Sequence, residues 1–236
     1  MPQVADRFAR VAAGYDRLNR ILSLGLDVLW RRRALGCLIR DLAPDERAGR
    51  PSKVLDLATG TADFAMAAAR RFPSARIEGI DLTPEMLEIG RRKVAAAGLA
   101  GRIRLSQGDA AALPFDDASF DTALCAFGFR NFPDRAASLA ELARILSDRG
   151  RLAVLEFFRP RSALLGKATA GWLRCVSAAC APGVAGDYAY LRDSIAGTCT
   201  SAEFAAEAAE AGFGLARERF FPPACTCLVL RKYGKL

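Results

Sequence analysis

The sequence predicts an α/β fold with a doubly wound, mostly parallel sheet, and three observations lead there. Short apolar runs alternate with amphipathic helical stretches between residues 54 and 157. The first of these runs passes through a turn of small residues, Ala58-Thr59-Gly60-Thr61-Ala62, straight into a helix. Acids stand at the ends of the first three runs: Asp56, Asp81 and Asp109. Ligands in open α/β sheets bind outside the carboxyl ends of the strands, so these acids mark one rim.

The elements follow in order. Residues 5–40 read as helical, with apolar positions Phe8, Val11, Leu18, Ile21, Leu22, Val28, Leu29 and Leu35, broken at Gly14 and at 23–25. A linker rich in Pro, Gly and charge covers 41–52. The period then changes: strand 54–58, helix 62–72, strand 76–80, helix 84–97, strand 102–106, strand 120–127, helix 134–147 and strand 151–157. These lengths are those of βαβ units, and right-handed crossovers make the layout doubly wound. Beyond Pro160 the pattern loosens into small apolar residues with scattered Arg and Lys over 161–186, consistent with one or two helices. A helix over 201–211 stops at Gly212, and strands at about 214–220 and 225–231 flank Pro222-Pro223, which suits an antiparallel pair. The predicted organisation is a helical N-terminal lid and linker over 1–50, then one ligand-binding domain over 51–236 with a helical insertion at about 161–200.

Composition narrows the class. With 236 residues, 52% of them hydrophobic, the chain can bury a substantial core. No apolar run approaches a membrane span, and the opening lacks a signal peptide's apolar stretch, so a cytoplasmic protein is expected. Net charge is +8, with 29 of 34 bases Arg; the first 40 residues carry eight Arg against three Asp. Such a balance admits anionic membrane surfaces, nucleic acid or acidic ligands without selecting among them. Arg31-Arg32-Arg33 is the densest cluster, read either as a solvated helix face or as a lipid-facing patch. Seven irregularly spaced Cys and no His exclude a Cys/His zinc site and Ser-His or Cys-His catalysis, and no metal is expected. Free thiols are expected, with Cys225 and Cys227 on one face of a strand.

The rim carries the chemistry. Gly60 can take a positive φ or admit a ligand, and Thr61 can cap the helix or donate to one, although an ordinary strand-to-helix turn reads the same way. Asp81 stands 20 residues past Thr61, where an acid bonds a ribose diol. Gln107-Gly108-Asp109-Ala110 closes the third strand. A nicotinamide site would want G-x-G-x-x-G with a pyrophosphate cradle; this turn has one Gly, which suits a cofactor without phosphates.

The D-x-x-x-G-T turn and the two following acids resemble the class I S-adenosylmethionine (SAM) methyltransferase fingerprint, which implies a seven-stranded Rossmann-like sheet ending in an antiparallel hairpin. Segments 11–32, VLDLATGTADF (54–64), ALPFDDASFD (112–121), FGFRNFPDR (127–135), LEFFRP (155–160), YLRDSI (190–195) and AGF (211–213) resemble, in order, the ubiquinone/menaquinone biosynthesis C-methyltransferase family (UbiE/MenG type). That resemblance implies ring C-methylation of a polyprenylated quinol, demethylmenaquinol or a ubiquinone precursor, by SAM. The family's cofactor contacts fall on Thr61, Asp81, Asp109 and Ala110, with Asp56, Gly60, Ala126 and Tyr15 around them. Asp81 would take the ribose hydroxyls, and Asp109-Ala110 the adenine. Tyr15, Asp16 and Asn19 would belong to a lid, and Arg130 and Asn131 to the quinol pocket.

The sequence departs from the family at Ala126, usually Ser, which predicts weaker cofactor binding. Asp27 stands near the family's lid His, and 161–187 and 196–210 match poorly. Methyl transfer to a ring carbon needs a quinol that has lost a proton. Arg130 is the expected stabiliser of the phenolate, against a bland reading as a surface partner of Asp134; Asp16 or water is the expected base. Rival readings are a methyltransferase for another small lipophilic acceptor and a non-catalytic binding module on the same fold. Expected partners are the polyprenyl quinol and, reversibly and peripherally, an anionic membrane; nucleic acid is not expected, and a homodimer is left open.

Overall fold

The computed structural model describes residues 15–42, 52–160 and 197–233, with positions 9, 12, 162, 166, 167, 169–172 and 193–195. The helical opening before residue 15, most of the linker and most of the expected insertion at 161–200 lie outside the described residues.

Two helices open the described chain, α1 (Tyr15–Leu22) and α2 (Leu26–Asp41), separated by a turn at Ser23–Gly25 as the sequence pattern requires. Then come β1 (Lys53–Leu57), α3 (Asp63–Arg71), β2 (Arg76–Asp81), α4 (Pro84–Ala96), β3 (Ile103–Gln107) and β4 (Phe120–Ala126). A 3₁₀ turn at Phe129–Asn131, α5 (Arg135–Ile145), β5 (Leu146–Glu156), α6 (Ser201–Glu210), β6 (Phe213–Phe221) and β7 (Cys225–Lys232) complete it. The sheet has seven strands in the order β3-β2-β1-β4-β5-β7-β6. β1 to β5 run parallel and β7 pairs antiparallel with both β5 and β6, so the hairpin at the C-terminus is as expected. The strand order reverses between β1 and β4, which is where such sheets open a crevice.

Alternation along the strands builds two cores. Val54 faces one layer, with α2, α3 and α4; Leu55 faces the other, with α5 and α6. Helix α3 turns Phe64, Ala65, Ala68 and Ala69 to the sheet, and these small side chains bring its axis close. Gly90 does the same for α4: a Cβ there would stand 2.9 Å from Leu105 Cδ1. Helix starts are capped as their residues dictate. Asp134 accepts from the Ala137 N–H at the start of α5, and Thr200 and Glu203 form a capping box on α6.

Most boundaries fall within one or two residues of expectation, and the differences at β5, β6 and β7 have local reasons. β5 begins at Leu146, directly after α5, because Leu146 already pairs with Phe120 before a register shift at 120/122. β6 and β7 each run slightly longer than predicted because their pairing continues to Phe213↔Lys232. Helix α2 is not a free lid. Trp30, Leu35 and Leu38 are fully buried, and Asp41 at its end holds Arg151 of β5 (3.0 Å) and Arg231 of β7 (2.8 Å). Although burial acts against it, the bonds from Arg231 and Arg151 keep the Asp41 carboxyl below its ordinary pKa. Cys225 and Cys227 share one buried face of β7, and the described cysteines are free thiols. No described helix is long and apolar enough to cross a membrane.

Candidate active site

The crevice at the reversal is a cleft enclosing about 1010 Å³ of non-atom space, open mouth included. Its floor is the β1–α3 turn. Three residues there take left-handed backbone: Ala58 (φ 54°), Gly60 (φ 54°) and Ala62 (φ 67°), two of them non-glycine, so the turn is strained and held. Asp56, 1% exposed, holds it: its Oδ2 accepts from Thr59 Oγ1 (2.6 Å) and from the Ala65 N–H (2.9 Å). Burial pushes the Asp56 carboxyl up to about 7, against the hydrogen bonds from Thr59 and Ala65. Asp56 lies beneath the turn and does not line the cleft, contrary to its expected place at the cofactor.

Asp81, at the end of β2, reaches the cleft. Its Oδ2 accepts the Gly60 N–H (2.8 Å) and its Oδ1 the Thr83 N–H (2.9 Å). Burial raises its pKa, opposed by these backbone donors. The Thr83 hydroxyl and the Leu82 N–H also interact with this carboxylate, which faces the cleft as an acceptor-only group. Asp109 accepts the Ala111 N–H (2.9 Å) and lines the cleft beside Ala110, on the loop after β3. Ala126 and Phe127, at the end of β4, form the opposite wall with Asn131, Phe132 and Pro133. Tyr15 closes the cleft from α1; burial pushes its phenol up, so it stays protonated as a donor. Asp81 and Asp109 bring carboxylates to the β2–β3 side of the cleft and Asp134 a third beside Pro133, the lining at the β4 end is mostly apolar, and none of the described lining residues is Lys or Arg.

Three more expected site residues, besides Asp56, sit outside the cleft lining. Thr61 is 3% exposed and does not line the cleft; its hydroxyl donates to Asp16 (2.5 Å) and accepts from Lys93 (3.0 Å). Asp16, the expected base, is engaged by that hydroxyl and by Lys93 Nζ (2.5 Å), so its carboxylate is committed to an ion pair. Lys93 also bonds Asp63 (2.7 Å), Arg20 joins Asp63 (3.4 Å) to Asp27 (2.6 Å), and Arg31 pairs with Asp27 (2.6 Å). This chain of alternating charge fastens α1 and α2 over the β1–α3 turn. Arg130, the expected phenolate stabiliser, is paired inward with Glu156 (2.7 Å), their side chains 8% and 1% exposed, and not with Asp134. Its guanidinium also donates to the Phe127 carbonyl (2.8 Å), which accepts from Asn131 Nδ2 (3.3 Å) as well.

Sequence reasoning missed Lys93, Glu156 and Trp30. Lys93 reads as one more solvated charge on a helix. Glu156 did carry a signal, being a lone acid in an apolar strand, and Trp30 a signal of size alone. Phe127 of the β4 wall joins Trp30, Phe157 and Trp172 in an aromatic cluster, stacked on Phe157 at 4.8 Å.

Comparison with known proteins agrees with this geometry. Residues 2–227 match the ubiE/COQ5 methyltransferase family. The chain is 45% identical over 195 residues to a demethylmenaquinone methyltransferase of Deinococcus radiodurans, spanning 81% of this chain and 77% of that one. It is 42% identical over 214 residues to the Thermus thermophilus protein of the same name, spanning 89% and 93%. A Geobacter sulfurreducens ubiquinone/menaquinone biosynthesis C-methyltransferase UbiE is 39% identical over 218 residues, spanning 89% and 80%. Among solved structures, a SAM-dependent methyltransferase from Thermotoga maritima superposes with TM-score 0.63 at 21% identity over 95% of this chain and 98% of that one. One from Aquifex aeolicus gives 0.57 at 17% identity over 76% and 81%. At these identities the likeness is one of fold, here Rossmann-like.

Proposed function

The chain belongs to the ubiE/COQ5 methyltransferase family, and from that premise we propose how its cleft serves SAM-dependent C-methylation of a polyprenylated quinol in menaquinone or ubiquinone biosynthesis. The observation that carries the reading is the lining of the cleft: Asp81 and Asp109 at the β2 and β3 ends, a mostly apolar wall at the β4 end, and no Lys or Arg among the described lining residues. SAM is a cation without phosphates, carrying a ribose diol and an adenine, and it suits the acidic end. When bound it supplies an electrophilic methyl group on sulfonium sulfur. Asp81 presents a carboxylate to the ribose hydroxyls, and Asp109 with Ala110 frames the adenine. Ala126 offers no hydroxyl beside the methionine part.

The chain's own contribution is placement and exclusion of water. The β1–α3 turn, held by Asp56, exposes backbone at its left-handed residues. Tyr15 covers the cleft, and α1 is fastened there by Lys93 on Asp16 and Asp63. A dry, oriented pair of reactants supplies much of the acceleration for methyl transfer. Thr61 and Asp16 then act as parts of the fastening rather than as cofactor ligand and base.

We further place the protein in the cytoplasm, in reversible contact with the anionic inner face of the membrane, where a polyprenyl substrate resides. The supporting surface is the outward stripe of α2: Val28 and Leu29, 40% and 38% exposed, beside the exposed Arg32, Arg33 and Arg40. Arg31 is not part of it, being 8% exposed and turned to Asp27.

Titration calorimetry with SAM tests the site. Asp81→Ala loses charge-assisted hydrogen bonds worth about 1.5–3 kcal/mol each, so the Kd rises at least tenfold. Unchanged affinity overturns the placement. Quinones extracted from a deletion strain carrying this chain test the acceptor: restored ring methylation supports it, and accumulation of the unmethylated quinone overturns it.

A further inference from the structure

We propose that Phe127 is the specificity-determining residue for the acceptor ring, and that Arg130 and Glu156 are positioning residues that hold it. This rests on the quinol methyltransferase reading and deepens it.

Phe127 has φ 61°, left-handed backbone that a bulky side chain rarely adopts. Such strain persists only where the surroundings impose it, and here they do so from three sides. The Phe127 N–H is fixed on Leu155 O (2.8 Å), one step past the end of β4. Gly128 follows with no room for a side chain: a Cβ would stand 2.8 Å from both Ala58 Cβ and Cys125 Sγ, so the backbone is pressed against the cofactor turn. The Phe127 carbonyl is held by Arg130 Nη1 and Asn131 Nδ2.

The Arg130–Glu156 pair explains itself through this carbonyl. A buried ion pair is expensive in desolvation and is retained where its geometry is good. Glu156 also receives the N–H groups of Phe157 (2.8 Å) and Arg130 (3.3 Å), and neither side chain lines the cleft. What the pair achieves at the cleft is the orientation of Phe127. The ring is packed between Phe157 (4.8 Å, 25° between planes) and the Arg31 guanidinium (5.4 Å), with Trp30 at 6.5 Å, and Phe127 is one of the residues lining the β4 side of the cleft. With its faces engaged, the ring is held rigidly and offers its edge, which suits edge contact with a flat, electron-rich ring.

The test uses the full chain, SAM and a short-tailed naphthoquinol lacking the ring methyl. An aromatic contact of about 0.5–1.5 kcal/mol beyond area burial translates into a KM raised up to about tenfold. Phe127→Gly, which also relieves the backbone, is expected to raise the quinol KM about tenfold while the SAM Kd stays within twofold. Phe127→Leu keeps apolar bulk without a plane and serves if the glycine variant loses its fold; the same KM rise is expected. Arg130→Met should copy the KM effect with kcat largely kept, and Arg130→Lys should recover part of it. A quinol KM within twofold of wild type in a SAM-binding Phe127 variant overturns the proposal. So does an Arg130→Met variant whose kcat falls a hundredfold at unchanged KM, because Arg130 would then act on transition-state charge. If wild type binds SAM but neither binds nor methylates the naphthoquinol, the quinol reading itself falls and this subsite with it; a wild type that methylates normally confines any failure to Phe127.

Discussion

Asp56 shows how one side chain ties the turn's shape to pH. Its folded pKa of about 7 lies above the ordinary value of 3.8, so between those values the folded protein holds a proton that the unfolded chain has released. The stability this contributes is complete below about pH 4 and is lost as pH rises through about 7. Asp56→Asn keeps the carbonyl acceptor for Thr59 and Ala65 without the ionisation. Thermal melts across pH 5 to 8 should therefore show the wild-type Tm falling relative to the variant as pH rises, by several degrees; parallel curves would show that Asp56 does not titrate in this range. At this scale the sequence was legible where position alone decides. Asp81 and Asp109 reach the cleft because a strand end puts them there. Thr61, Asp56 and Arg130 were expected at the cleft but do not line it, because the direction of a side chain depends on its partners, often far away in sequence: Lys93 for Thr61, Glu156 for Arg130.

Between elements, the same limit appears as a division of labour that the helical pattern of 15–41 does not reveal. Its period announces two helices but not that α2 belongs to the core while α1 rests on the cleft. Two contacts separate them. Asp41 neutralises Arg151 and Arg231, joining α2 to β5 and β7, and the Asp41 and Arg151 side chains are 4% and 9% exposed. Removing one partner of such a buried set costs about 3–5 kcal/mol, so Asp41→Ala should lower the urea midpoint markedly in chemical denaturation while leaving SAM affinity nearly unchanged in the folded protein. Lys93 joins α1 to the cofactor turn through partly exposed pairs, each worth about 1 kcal/mol or less. Lys93→Ala should leave stability almost untouched yet speed amide exchange across α1 and accelerate SAM release several-fold. Equal exchange in both proteins would mean that α1 is held by something else. Strand and helix order was legible because the sheet is buried on both faces and alternates helices at fixed spacing. The looser 161–200 stretch offered no such period.

At the scale of the whole molecule, +8 is a poor guide until the fold sorts its charges. The Arg31–Arg33 run looks like one cationic cluster, but the helix turns Arg31 inward to Asp27 and leaves Arg32 and Arg33 outside. Residues 28, 29, 32, 33 and 40 share one stripe of α2, and both acids of that helix, Asp27 and Asp41, face inward. The stripe continues onto the β6–β7 hairpin, where Arg33 and Arg40 share a groove with Arg219 and the exposed Phe220. Cations beside modest apolar contacts suit an anionic bilayer, and each Arg near such a surface is worth about 1 kcal/mol. Replacing Arg32, Arg33 and Arg40 by Ala should weaken partition onto phosphatidylserine vesicles about a hundredfold in flotation assays. It should also flatten the salt dependence, since attraction fades over a Debye length of about 8 Å at physiological ionic strength. Val28→Ser with Leu29→Ser should weaken partition while leaving the salt dependence intact, because only the apolar part is lost. Arg31→Ala provides the contrast: it breaks a buried pair, so its effect should fall on stability, with vesicle binding of the folded fraction unchanged. Flotation indifferent to salt and to all three exposed arginines would detach the stripe from the membrane and leave the +8 without this use.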